Sequence, residues 1–98
     1  MSEVDRQRID LWLWRARLTK TRGGAARWVA EGGVRLIRNG VGRIVDKPST
    51  GVGAGDVLVL PGLRGVQTVR VVALGMRRGP PPEARALYAE VEGDATFA

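Results

Sequence analysis

Seven cations fall between positions 15 and 38: Arg15, Arg17, Lys20, Arg22, Arg27, Arg35 and Arg38. A guanidinium meets phosphate through a planar fork of N–H donors and stacks on bases, whereas an ammonium acts as a hydrated point charge. Fourteen of the sixteen cations in the chain are arginine, although a GC-rich genome also favours that residue, and position says more than number. Gly23 and Gly24 stand among Lys20, Arg22 and Arg27 in the string KTRGGAARW. At the start of a helix such glycines leave backbone N–H groups uncovered, and these donors suit the same anion. On charge alone, a phosphate-binding surface and a solvated face that only keeps the chain in solution stay equally open.

Other chemistries lack their residues. The chain has no histidine and no cysteine, which removes the commonest general base, thiolate metal sites, cysteine nucleophiles and disulfides. No pair of acids stands at a spacing for glycosidase or metal work, and no serine or threonine has a base in a recognisable motif. The run Gly51-Val52-Gly53-Ala54-Gly55 lacks the lysine and following helix of a phosphate loop and reads as a turn between strands. A non-enzymatic chain with no cofactor and no metal is the expectation.

Charge is also polarised along the sequence. Residues 6–47 hold eleven Lys or Arg and three acids, whereas 83–98 hold one Arg and four acids, within a net charge of +6. That balance favours polyanions. No apolar run approaches the roughly 18 residues of a membrane span, and the first ten residues are charged where a signal peptide would be apolar, so a cytoplasmic protein with no membrane partner is expected.

Two helices are needed to carry the cations. Apolar residues at 9, 13 and 16, and again at 11, 14 and 18, predict a helix from Ile9 to Leu18, with Asp10 in its first turn and Arg15 and Arg17 in its last. Thr21 is read as the N-cap of a second helix over about 22–31, which Gly32-Gly33 ends. Strands follow at 34–37, 41–45, 57–60 and 66–74, with Arg38-Asn39-Gly40 as a turn. After Pro80 to Pro82 the spacing of Ala84, Leu87, Tyr88 and Val91 predicts a helix over 83–91. Trp12 and Trp28 are read as core, and Trp14, beside Arg15, is the candidate for stacking on a base. The fold class is α+β: two helices packed on a small, mainly antiparallel sheet, with a short C-terminal helix.

Several of these residues occur in a familiar order. Arg8-Ile9-Asp10, Leu13, Lys20-Thr21-Arg22, Ala26, Gly32-Gly33-Val34, Lys47-Pro48-Ser49, Val52 and Gly55-Asp56-Val57 resemble the RNA-binding module named after small-subunit ribosomal protein S-four, over residues 8–60. Asp10 through Trp14, Asp46 to Ser49, Arg77-Arg78-Gly79-Pro80 and Glu83-Ala84 with Leu87-Tyr88 extend the resemblance to the free-standing, ribosome-associated heat shock protein fifteen family. Two departures stand out. Asn39-Gly40 is displaced by two residues, which implies a longer turn, and the chain ends acidic where some family members carry a basic extension.

The resemblance implies an alpha-L RNA-binding motif that holds structured RNA, above all ribosomal RNA of the large subunit, in rescue of subunits that still carry a nascent chain on tRNA. The RNA-binding positions it implies are Arg8, Arg15, Arg17, Lys20, Thr21, Arg22, Arg27, Arg35, Arg38 and Lys47. A monomer with weak DNA binding is expected, and the rival readings are an accessory RNA- or DNA-binding protein or a protein-interaction module docking an acidic partner through its basic face. The expected divisions are a flexible lead-in (1–7), the RNA-binding domain (8–74), a Pro-rich turn with the C-terminal helix packed on it (75–92) and an acidic tail (93–98).

Overall fold

Two short helices that are apolar on more than one side must be covered, and the strands supply the cover. The computed structural model describes residues 5–63 and 65–91; residues 1–4 of the lead-in and the acidic tail 93–98 lie outside the described residues, as do Arg64 and Glu92. Helices α1 (Ile9–Arg15) and α2 (Arg22–Glu31) pack on one face of a five-stranded antiparallel sheet of order β3-β2-β5-β6-β7. Its strands are β2 (Arg35–Arg38), β3 (Val41–Ile44), β5 (Val57–Gly62), β6 (Gly65–Val71) and β7 (Tyr88–Glu90), and α3 (Pro81–Arg85) precedes β7. A two-stranded ribbon of β1 (Gln7–Arg8) and β4 (Gly51–Val52) ties the start of α1 to the far side of the sheet loops.

Register puts the core on the helix side. Leu36 lies opposite Leu58, and Leu58 opposite Val69, a row of buried side chains across three strands. Ile9, Trp12 and Leu13 from α1 and Ala25 and Val29 from α2 close over this row, all essentially without solvent exposure. Because successive strand residues face opposite ways, Arg35, Ile37, Val57, Val59 and Arg70 occupy the other face. The indole N–H groups, which would be costly to bury unpaired, reach backbone carbonyls: Trp12 Nε1 donates to Ala73 O at 2.9 Å and Trp28 Nε1 to Pro61 O at 2.8 Å.

Helix α1 is three residues shorter than its apolar spacing predicts. Arg17 adopts φ +59°, and its N–H donates to Trp14 O while the N–H of Leu18 donates to Leu13 O. This crossed pair of bonds is a Schellman stop, with Leu18 folded back against the core. The β2–β3 turn is also tighter than the displaced Asn39-Gly40 implies. Those two residues, at φ +54° and +78°, join Arg38 and Val41 in a two-residue hairpin of the type whose twist matches its strands.

The C-terminal segment departs most. The expected helix over 83–91 is confined to Pro81–Arg85, and Tyr88–Glu90 instead pairs antiparallel with β6. The outer edge of β6 offers unpaired backbone groups, and strand pairing of 88–90, together with bonds from Val72 and Ala73 N–H to Leu87 O, satisfies them. Gln7, placed in the lead-in by its polarity, is likewise in a strand pair, with Val52.

Candidate nucleic-acid interface

The α1–α2 connection and the first half of α2 carry exposed cations. Lys20, Thr21, Arg22 and Arg27 are all exposed, and among the described residues neither Lys20, Arg22 nor Arg27 donates a side-chain hydrogen bond or joins an ion pair. Thr21 caps the helix: its Oγ1 accepts the Gly24 N–H at 2.8 Å and its carbonyl accepts the Ala25 N–H. The Gly24 donor is therefore occupied, and the open N–H groups of this turn are those of Arg22 and Gly23. The two glycines differ in cause. A Cβ on Gly24 would lie 2.9 Å from Thr21 Oγ1, whereas one on Gly23 would meet nothing within 4 Å.

Charge on α2 runs against its own dipole. No acid stands in its first turn, no base in its last, Arg22 sits at its N-terminal end and Glu31 at its C-terminal end. Each such placement forgoes or opposes roughly 0.3–1 kcal/mol available from the macrodipole. Cations here do not serve helix stability, and the same end of the helix favours an external anion.

At the start of α1, Arg8 donates from Nε and Nη2 to Asp10 at 3.0 and 2.9 Å, while its side chain stays 50% exposed. Burial alone would raise the Asp10 carboxyl. The Arg8 hydrogen bonds, the Leu11 N–H and the charges of Arg8 and Arg22 outweigh it and hold the group below its usual range. Lys47 is exposed in the turn whose Pro48 carbonyl accepts the Asp10 N–H. Arg8, Arg22 and Lys47 thus gather around the entry to α1.

The remaining cations of the expected set are placed elsewhere or held. Arg38 is locked: Nε and Nη2 donate to both oxygens of buried Asp56 at 2.9 and 2.7 Å, and Nη2 also reaches Gly51 O. Arg15 donates from Nη1 to Gly75 O at 3.0 Å, and Arg17 from Nε to Gly79 O. Arg35 is exposed but projects from the sheet face opposite the helices, so the structure does not bring it together with Arg22 and Arg27. Trp14 is half-buried, with the Arg78 guanidinium 5.5 Å from its ring centre. Arg78 also donates to Trp14 O and Thr19 O, bonds that span about sixty residues and that local spacing gives no means of foreseeing.

No protein-family model matches the chain. It is 34% identical over 87 residues to a heat shock protein 15 homolog of Haemophilus influenzae, a match that covers 87% of this chain and 61% of that protein. The chain thus spans about three fifths of the length of that relative. The trimeric structure of Vibrio cholerae heat shock protein 15 superposes with a TM-score of 0.78 at 34% identity, covering 94% of this chain and 88% of that one.

Proposed function

The chain belongs to the heat shock protein 15 family, and on that premise we propose that it binds structured RNA, without catalysis, through the surface of its helix pair. The observation that carries this reading is the set Lys20, Arg22 and Arg27, exposed and unpaired among the described residues, with Lys20 and Arg22 at the N-terminal end of α2 beside open N–H groups. Such a surface meets phosphates, which report duplex geometry rather than sequence, so specificity for shape over base identity is expected. Arg8 and Lys47 extend it toward α1.

The RNA we propose is ribosomal RNA of the large subunit, met in the cytoplasm under heat stress, during rescue of free subunits that carry a nascent chain on tRNA. The cationic surface is complete within one chain, so one copy suffices for binding. In a trimer like that of the Vibrio cholerae protein, edge strand β3 with exposed Val41 and Ile44 is a surface this chain has available for self-association.

Sucrose-gradient sedimentation of lysate tests the reading. Wild type should travel with large subunits, and a Lys20→Ala/Arg22→Ala/Arg27→Ala variant should stay at the top. A wild type that stays at the top, before and after heat shock, refutes the ribosomal assignment. Release from complexes by nuclease separates RNA from an acidic protein partner, and competition with duplex DNA of matched length separates RNA from DNA.

A further inference from the structure

A second cationic feature lies beyond the α2 entry, where the α1–α2 connection faces α3. A cleft of about 470 Å³ opens there, lined by Arg17, Lys20, Arg78 and Arg85 with Tyr88 at its side, and among the described residues no Asp or Glu lines it. Four like charges around one cleft repel each other, and no described residue of its walls balances them. The fold nevertheless fixes two of them. Arg17 Nε is held by Gly79 O, and Arg78 Nε and Nη2 are held by the carbonyls of Trp14 and Thr19. Carbonyls orient a guanidinium without neutralising it, so the remaining N–H donors of both keep full charge for a further acceptor.

The backbone at Arg17 reinforces this. Its φ of +59° is the position where a Schellman stop usually carries glycine, and an L side chain there costs about 1 kcal/mol or more. The side chain at this position ties the turn to Gly79 and lines the cleft. Lys20 belongs both to this cleft and to the α2 entry, so the two features form one continuous cationic strip.

We propose that this cleft binds a backbone phosphate of the RNA held by the helix pair, making α3 and the segment of residues 77–85 part of the interface. The inference rests on the RNA-binding reading above. Arg85 is the residue to test, because it is exposed and donates no hydrogen bond to the fold among the described residues. Binding of a structured ribosomal RNA fragment would be titrated between 50 and 200 mM salt for wild type, Arg85→Gln, Arg85→Lys and, as a control on the helix pair, Arg22→Gln/Arg27→Gln.

Arg85→Gln should lower the log–log salt slope by about 0.7–0.9, one phosphate's share, with an unchanged melting temperature, and Arg85→Lys should restore the slope. The control should lose about twice as much, 1.4–1.8. An Arg85→Gln slope equal to wild type, beside a reduced slope in the control, overturns the cleft and leaves the helix-pair reading standing. A lowered slope in Arg85→Gln with an unchanged control overturns the helix-pair reading and, with it, the proposal that the cleft acts on RNA held there. If wild type does not bind RNA at all, both fall together.

Discussion

Replacing Arg38 by methionine should unfold the protein more readily without weakening its hold on RNA. Arg38 stands in the cationic run that sequence assigns to phosphate, yet two hydrogen bonds of 2.9 and 2.7 Å commit it to Asp56, whose side chain is 8% exposed. Removing the guanidinium leaves that carboxylate buried with the Gly53 N–H, at 2.8 Å, as its remaining partner among the described residues. Breaking one side of a buried pair costs about 3–5 kcal/mol, and the 26% exposure of Arg38 with the surviving Gly53 bond places this case near 3 kcal/mol. For a domain of this size each kcal/mol moves the midpoint by about 4–8 °C, so Tm should fall by about 12–24 °C. The same pair shapes the response to acid. Burial pushes the Asp56 carboxyl up, but the Arg38 hydrogen bonds, the Gly53 N–H and the charges of Arg38 and Arg6 pull it below its ordinary 3.8. A carboxyl more acidic in the folded state contributes stability that is fully present above the unfolded pKa and disappears as pH falls through the folded one. Asp10 behaves likewise through Arg8. Wild-type stability should therefore fall below about pH 4 at up to about 2.7 kcal/mol per pH unit from the two groups, and in Arg38→Met at about half that slope. Differential scanning fluorimetry across pH, with RNA titrations at a temperature where the variant is folded, checks both halves. A Tm loss below about 4 °C, or an RNA affinity loss comparable to that of Arg22→Ala/Arg27→Ala, refutes the structural assignment of Arg38.

Three further outcomes follow from the same structure. Gly23→Ala should raise stability by up to about 1 kcal/mol in urea titrations, since the new methyl meets open space, while Gly24→Ala should lower it by about 0.5–2 kcal/mol by displacing the Thr21 cap. Trp12→Ala should cost about 3–5 kcal/mol, because the fully buried indole packs edge-on to Tyr88 at 6.5 Å and its N–H satisfies Ala73 O. With about five phosphates engaged, wild-type RNA affinity should fall with a log–log salt slope of about −3.5 to −4.5, and Lys20→Ala/Arg22→Ala/Arg27→Ala should flatten it by about 2.1–2.7. A flat wild-type response sinks the phosphate model.

Local chemistry made half of this molecule legible. The Thr21 cap, the Asn39-Gly40 turn and the alternation along β5 and β6 each depend on residues within a few positions of one another, and the two helices with their sheet follow from them. The spacing of segment 83–91 suits a helix equally well; what decides for a strand at 88–90 is the vacant edge of β6, which no window of nine residues contains. The fate of the cations was hidden for the same reason. Among the described residues no neighbour claims Arg22 and Arg27, whereas Arg15, Arg17 and Arg38 are claimed by Gly75, Gly79 and Asp56, partners 60, 62 and 18 residues away. The cleft between the α1–α2 connection and α3 takes residues from both ends of the chain, so its charge emerges only once the ends meet.

The bonds that bind the first helix to the Pro-rich segment also set an order of events in time. Trp12 reaches Ala73, Arg15 reaches Gly75, Arg17 reaches Gly79 and Arg78 reaches Trp14, across separations of 60 to 64 residues. At synthesis rates of about 5–20 residues per second, the first helix leaves the ribosome about 3–12 s before the residues that anchor it. During that interval α1 lacks the carbonyls that receive its indole and guanidinium groups, and its cationic exit loop has not acquired its final shape. A newborn chain thus completes the setting of its first helix only once most of its length has been translated.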